Sequence, residues 1–199
     1  PYSSTTYYQY KKQFTSPNRS KQKTITFLGN MRPEKGSNLT VESIFEILSN
    51  NNLLEFTLKL RKPKGEEYSE LKTILESIAE ERIEWLEGNV DNQIFCDFIE
   101  GNIVNIITYS NKAFRMRPSG VFADSIIANV PVLVPTGTDM ALLVNEYNNG
   151  EVYQDGDVLD LVKKVVILVQ NSEKYRYGCN RIRDTWQKEH SWDRLLQAL

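Results

Sequence analysis

Two cations stand between two glycines in the segment Gly29-Asn30-Met31-Arg32-Pro33-Glu34-Lys35-Gly36-Ser37. Arg32 and Lys35 in this spacing suit a diphosphate, because each donates charge-assisted hydrogen bonds to a different phosphoryl oxygen. Gly29 and Gly36 permit a tight turn or a close backbone approach. The segment contains neither GxxxxGK[ST] nor GxGxxG, so it is not one of the common phosphate loops. An ordinary solvated turn is the plain alternative. A second cationic stretch runs from Tyr109 to Gly120 and carries Lys112, Arg115 and Arg117 ahead of Ser119-Gly120-Val121. If a helix starts there, its first backbone N–H groups add to the anion-binding character; the alternative is that these cations only keep a long loop solvated. Asp124 follows one helical turn later, flanked by Phe122, Ala123, Ile126 and Ile127. An acid so placed can accept hydrogen bonds from ribose hydroxyls, or it can be a carboxylate favoured by the helix dipole.

These residues need a scaffold, and the pattern along the chain supplies one. Short β-branched or aromatic runs predict strands at Thr24–Leu28, Leu54–Leu60, Ile83–Leu86, Ile103–Thr108, Val132–Val134 and Gly150–Tyr153. Segments with apolar residues at helical spacing lie between them, at Asn38–Ser49, Glu66–Glu81, after Asp91, from Pro118 or Ser119, and at Gly137–Asn148. From Asp155 the chain reads as helical to its end, with breaks near Asn171 and Ser191. Such alternation predicts an α/β fold, a Rossmann-like parallel sheet with helices on both faces and a helical C-terminus. In open parallel sheets ligands bind beyond the carboxyl ends of the strands. The loops Gly29–Ser37, Glu87–Asp91, Tyr109–Ser119 and Pro135–Asp139 are therefore the places to search.

Composition excludes some classes. The chain has 199 residues, 40% of them hydrophobic, and a net charge of -2, which is unlike the dense basic surface of a nucleic-acid binder. From Pro1 to Lys35 there are seven Lys or Arg and one Glu. This basic lead-in reads as solvated, with peripheral contact to an acidic membrane as the alternative. No apolar run approaches the roughly 20 residues needed to span a bilayer, so the expectation is a cytoplasmic protein. Cys96 and Cys179 lack metal-ligand spacing and read as packing thiols. The sequons at 18–20 and 38–40 read as chance. Residues 1–23 read as an interdomain linker and 24–199 as one domain, with a preceding domain expected upstream.

The ordered set of segments resembles the C-terminal, donor-binding domain of bacterial retaining-type GT-B glycosyltransferases. Phe27-Leu28-Gly29 followed by Arg32 to Gly36 is similar to the family's "G-R-x-x-x-x-K-G" segment. Ile83 to Gly88 resembles the strand leading to the nucleobase loop. Ser119 to Val134 resembles the donor helix and next strand, "G-x-x-x-x-E-A-x-x-x-G-x-P-V-V". Gly150 to Tyr153 with Asp155 fits the "G-x-x-x-x-D" turn, and His190-Ser191-Trp192 the closing "(F/H)-S-W" helix. Two departures stand out. The family commonly has two Glu eight positions apart; Asp124 takes the second place and Met116 the first. Asn30 sits where the family often has Arg, with Arg32 as its substitute. Tyr109, Arg115 and Arg117 look like the Tyr/Arg-rich loop of a variant group.

The resemblance implies transfer of a hexose from a UDP or GDP sugar to a glycan or lipid-linked acceptor, as in bacterial polysaccharide biosynthesis. The acceptor would be bound by an N-terminal domain outside this chain. Arg32 and Lys35 become the candidate catalytic residues, stabilising charge on the departing diphosphate. Substrate contacts fall to Gly29, Asn30, Gly88, Asn89, Val90, Tyr109, Arg115, Arg117, Ser119, Gly120, Val121 and Asp124. No cofactor and no metal are expected, and His190 reads as a packing or capping residue. Rival readings are a GT-B sugar-nucleotide epimerase, a non-enzymatic nucleotide-binding or interaction module, and a receiver-type phosphorylation domain. The last is disfavoured because no acidic pair follows the first strand.

Overall fold

The computed structural model describes residues 23–62, 69–77, 81–86 and 92–189. Six strands are defined in it: β1 (Thr24–Phe27), β2 (Thr57–Arg61), β3 (Ile83–Leu86), β4 (Val104–Ile106), β5 (Val132–Pro135) and β6 (Gly150–Tyr153). They form one parallel sheet in the order β3-β2-β1-β4-β5-β6. Helices fill the crossovers: α1 (Ser37–Ser49), α2 (Ser69–Ser77), α3 (Asn92–Ile99), α4 (Asn111–Phe114), α5 (Gly120–Ile127) and α6 (Asp139–Tyr147), with α7 (Val158–Gln170) and α8 (Ser172–Glu189) following β6. The Rossmann-like α/β architecture expected from the alternation is the one observed.

Both faces of the sheet are covered. Ile25, Phe27, Leu58, Leu60 and Val104 pack with Ile44 and Ile47 of α1 and Leu161, Val165 and Leu168 of α7. On the opposite face Leu28 joins Phe98, Ile99 and Ile127, while Val132 and Val134 join Phe122, Ile126, Met140 and Val144. This two-sided burial explains why the central strands are short and almost wholly apolar. Three polar residues on the second face are tied to one another: Asn102 donates to Asn105 at 3.1 Å, and Asn105 to Ser125 at 2.9 Å.

Local chemistry sets the element ends. Ser119, Thr138 and Asp157 cap α5, α6 and α7 by accepting from the backbone N–H three residues on. The expected strand from Leu54 begins only at Thr57. The Asn50 side chain accepts from Asn52 N–H, a 3-10 turn covers Asn51–Leu53, and Leu54 stays exposed. The expected strand Ile103–Thr108 is shorter, Val104–Ile106, although Ile107 N–H still donates to the Leu133 carbonyl at 2.9 Å. The break near Asn171 is present between α7 and α8. The Asp91 cap, the break near Ser191, the linker up to residue 22 and the His190-Ser191-Trp192 segment lie outside the described residues. Thr40 of the second sequon is buried in α1. Cys179 is a buried free thiol whose Sγ faces the Asn149 carbonyl, and burial pushes it up to about 12. Among the described residues no helix is long and apolar enough to cross a membrane.

Candidate functional site

The strand order reverses direction between β1 and β4, and the helices that follow these two strands, α1 and α5, pack on opposite faces of the sheet. This is the switch point at which open α/β sheets bind ligands. Both cationic loops of the sequence emerge there, and they are fastened to each other. The Thr108 hydroxyl donates to the Lys35 carbonyl at 2.9 Å and lies 2.8 Å from the Thr40 hydroxyl. Ser110 N–H donates to the Glu34 carbonyl at 3.3 Å. A Cβ on Gly29 would lie 2.9 Å from the Tyr109 ring, and one on Gly36 would lie 2.0 Å from the Thr108 carbonyl oxygen. Both glycines therefore serve the approach of one loop to the other. The β5 and β6 loops join in: Asn111 N–H donates to Asp155 at 3.1 Å, Asp155 N–H to the Thr136 hydroxyl at 3.1 Å, and Asp139 N–H to the Arg115 carbonyl at 3.0 Å.

On this frame two cations rest on two aromatic rings. Lys35 Nζ sits 5.0 Å from the centroid of the Tyr109 ring. Tyr109 leans on Phe114 at 4.4 Å between centroids, and Arg117 lies 5.0 Å over the Phe114 ring. Both rings are buried, whereas Arg117 is exposed. Tyr109 thus supports a cation as a buried platform. Burial is the main cause holding the Lys35 ammonium below its usual range; Arg32, Arg117 and Arg61 push the same way, and Glu34 opposes them. Holding cations together in a half-buried place is costly without a counter-anion.

Arg32 is exposed and 3.9 Å from Glu34, so part of its charge is already answered. Asn30 is exposed and its carbonyl accepts from Arg32 N–H at 2.8 Å. Ser119 is buried, its hydroxyl oxygen occupied in capping by Phe122 N–H at 3.2 Å. The N–H groups of Gly120 and Val121 fall in the first turn of α5, where no earlier turn supplies carbonyls. Arg115 and Met116 are exposed, Met116 by 79%, on the same loop as Arg117. Asp124 lies on α5, half-buried, with its carboxyl raised to about 6 by desolvation. Gly88, Asn89 and Val90 lie outside the described residues.

Two contributions were not evident in the sequence. Arg61, at the end of β2, joins the charges around Lys35; its only signal was a cation directly after the expected strand Leu54–Leu60. Phe114 completes the aromatic platform from a short helix inside the expected loop. A lysine held below its ordinary range by burial also makes a measurable expectation. A diphosphate added to the chain should draw Lys35 back toward its ordinary range, so binding at alkaline pH takes up protons. Titration calorimetry in two buffers of different ionisation enthalpy reads this uptake, and Lys35→Ala should remove it. Equal uptake in the variant would assign the proton elsewhere.

No protein-family profile and no curated protein sequence matches the chain. Solved structures do. Sucrose-phosphate synthase from Thermosynechococcus elongatus superposes with a TM-score of 0.71 at 14% identity, over 94% of this chain and 46% of that one. A variant of TarM from S. aureus, in complex with Fondaparinux, alpha-GlcNAc-glycerol and UDP, gives 0.68 at 15% identity, over 96% and 40%. WaaG, a glycosyltransferase involved in lipopolysaccharide biosynthesis, gives 0.59 at 15%, over 94% and 47%. The chain spans less than half the length of each. Its fold is that of one half of a GT-B glycosyltransferase.

Proposed function

We propose that this chain is the C-terminal donor-binding half of a retaining-type bacterial hexosyltransferase. It holds a UDP or GDP sugar at the β1–β4 switch point and acts with an N-terminal domain that binds the glycan or lipid-linked acceptor. The observation that carries the reading is the aromatic platform of Tyr109 and Phe114, with Lys35 over one ring and Arg117 over the other. Two cations, one of them on the loop that leads into α5, match a diphosphate in charge. During transfer the bond from sugar to diphosphate breaks and negative charge grows on the leaving group. Lys35, Arg32, Arg117 and the Gly120 and Val121 N–H groups stabilise that growing charge. Asp124 accepts from the ribose hydroxyls, and the loop containing Gly88, Asn89 and Val90 receives the base. The TarM complex, which contains UDP, supports the ligand class.

Calorimetry on the purified chain tests the reading. UDP or GDP should bind weakly, with no sugar transfer, because the acceptor half of the cleft is contributed by another domain. Lys35→Ala should weaken diphosphate binding by roughly 1.5–3 kcal/mol and leave the bare nucleoside unaffected. Arg32→Ala should cost less, because Arg32 is exposed and partly answered by Glu34. Equal losses for nucleoside and diphosphate would move Lys35 away from the phosphates, and transfer by the chain alone would overturn the half-enzyme idea.

A further inference from the structure

The end of β2 brings an additional cation to the same lip of the sheet. The register pairs Leu60 with Phe27 and Arg61 with Leu86, so Arg61 stands beside Leu28, one residue before the chain turns at Gly29. Leu58 and Leu60 are fully buried in the core beneath α1. Lys59 faces the other way, over the Phe98 ring of α3 at 5.3 Å. Alternation along the strand puts Arg61 on that same side, the side of α3 and α5. The two neighbouring lysines are answered by carboxylates: Lys59 by Glu84 at 3.7 Å and Lys62 by Glu76 at 3.3 Å. Arg61 has no carboxylate partner among the described residues, although it is only partly exposed. Around Lys35 the charges are Arg32, Arg61, Arg117 and a single carboxylate, Glu34, which is beside Arg32.

The two negative charges of a diphosphate are met by Lys35 and Arg117 on the aromatic platform, and Arg32 is shared with Glu34. Arg61 is left over. It approaches from the β2 side of β1, away from the platform on β4. We infer that Arg61 forms a second anion subsite, for a carboxylate or phosphate carried by one of the two sugars of the reaction in addition to the donor's diphosphate. This rests on the proposed donor site and specifies its substrate class. A guanidinium with no carboxylate partner among the described residues suits such a group, because it forms two parallel hydrogen bonds with a planar or tetrahedral oxyanion.

The test uses the whole chain as wild type, Arg61→Gln and Arg61→Lys, with circular dichroism melts to check folding. In one arm the charge is on the donor sugar: UDP-glucuronate is compared with UDP-glucose, or GDP-mannuronate with GDP-mannose if guanine is the base bound. In the other arm it is on the acceptor: glucose 6-phosphate and glucose are each titrated onto chain saturated with UDP or GDP. In one arm the charged ligand should bind at least about tenfold more tightly than its neutral twin. Arg61→Gln should erase that preference while weakening UDP or GDP binding far less than Lys35→Ala does, and Arg61→Lys should keep part of the preference. The arm that responds identifies the sugar. Absence of a charge preference in both arms overturns the inference even if Arg61→Gln does not fold. So does an Arg61→Gln loss of UDP or GDP affinity as large as that of Lys35→Ala, which would make Arg61 a diphosphate residue. Nucleotide binding without charge preference removes this inference alone; absence of any nucleotide binding removes the donor-site reading with it.

Discussion

Replacing Gly36 with alanine is expected to lower stability by roughly 2–5 kcal/mol and to abolish binding of UDP or GDP. Gly36 has φ 70° and ψ 40°, a left-handed conformation that penalises any Cβ. The added carbon would also lie 2.0 Å from the Thr108 carbonyl oxygen and 2.9 Å from its carbon. Thr108 has little freedom to retreat. Its hydroxyl is bonded to the Lys35 carbonyl, and it follows directly on Ile107, whose N–H is held by the Leu133 carbonyl at 2.9 Å. The clash therefore moves the loop that carries Lys35 off the Tyr109 ring. Gly156 supplies the control. It has φ 80° but nothing within 4 Å of a Cβ, so Gly156→Ala should cost only about 1 kcal/mol and leave nucleotide affinity intact. Urea denaturation and calorimetry on both variants separate the two contributions. Equal losses at Gly36 and Gly156 would mean that the contact between the loops carries no weight.

Asp124→Asn is expected to stabilise the empty chain at neutral pH while weakening nucleotide binding. Burial lifts this carboxyl from 3.8 to about 6, so folding disfavours its charged form. The sign follows from linkage. The penalty is absent below the unfolded value near 3.8, grows as pH rises, and is complete above about 6. Asn keeps the shape of the neutral acid without titrating. The variant should therefore gain on the order of 1–2 kcal/mol at pH 7.5, a figure reduced for the solvent that reaches a half-buried side chain, and gain nothing by pH 4. Thermal melts across that range check the crossover. In binding, the charge is the useful form, since a carboxylate accepts from ribose hydroxyls more strongly than an amide does. Wild type should prefer a ribonucleotide to its 2′,3′-dideoxy form by roughly tenfold, and the variant should lose most of that preference. Simple addition of the mutation and ligand effects in the double cycle would separate Asp124 from the ribose. It would then be a helix carboxylate whose match to the family's second Glu is positional only.

These two residues differ in how they could be recognised. Gly36 was visible as a glycine beside a lysine at a strand-to-helix turn, but the reason for it was not. Its neighbour in space is Thr108, 72 positions away, and backbone approach across that distance leaves no local pattern. Asp124 was visible as an acid in an apolar helix. Its perturbed titration comes from the depth at which α5 packs, which helical spacing alone does not specify.

The alternation of apolar strands and amphipathic helices determined the fold class, because period 2 and period 3.6 are local properties of the chain and two-sided burial makes parallel strands continuously apolar. The positions of the cationic loops at strand ends followed from the same reading. Strand order, by contrast, depends on which strands neighbour which across the sheet, and only the tertiary structure placed β1 beside β4. That adjacency brings Lys35 over Tyr109 and Arg117 over Phe114 and adds Arg61 from β2. Cations repel one another and stay together only where a packed frame holds them, and that frame is made by contacts between loops.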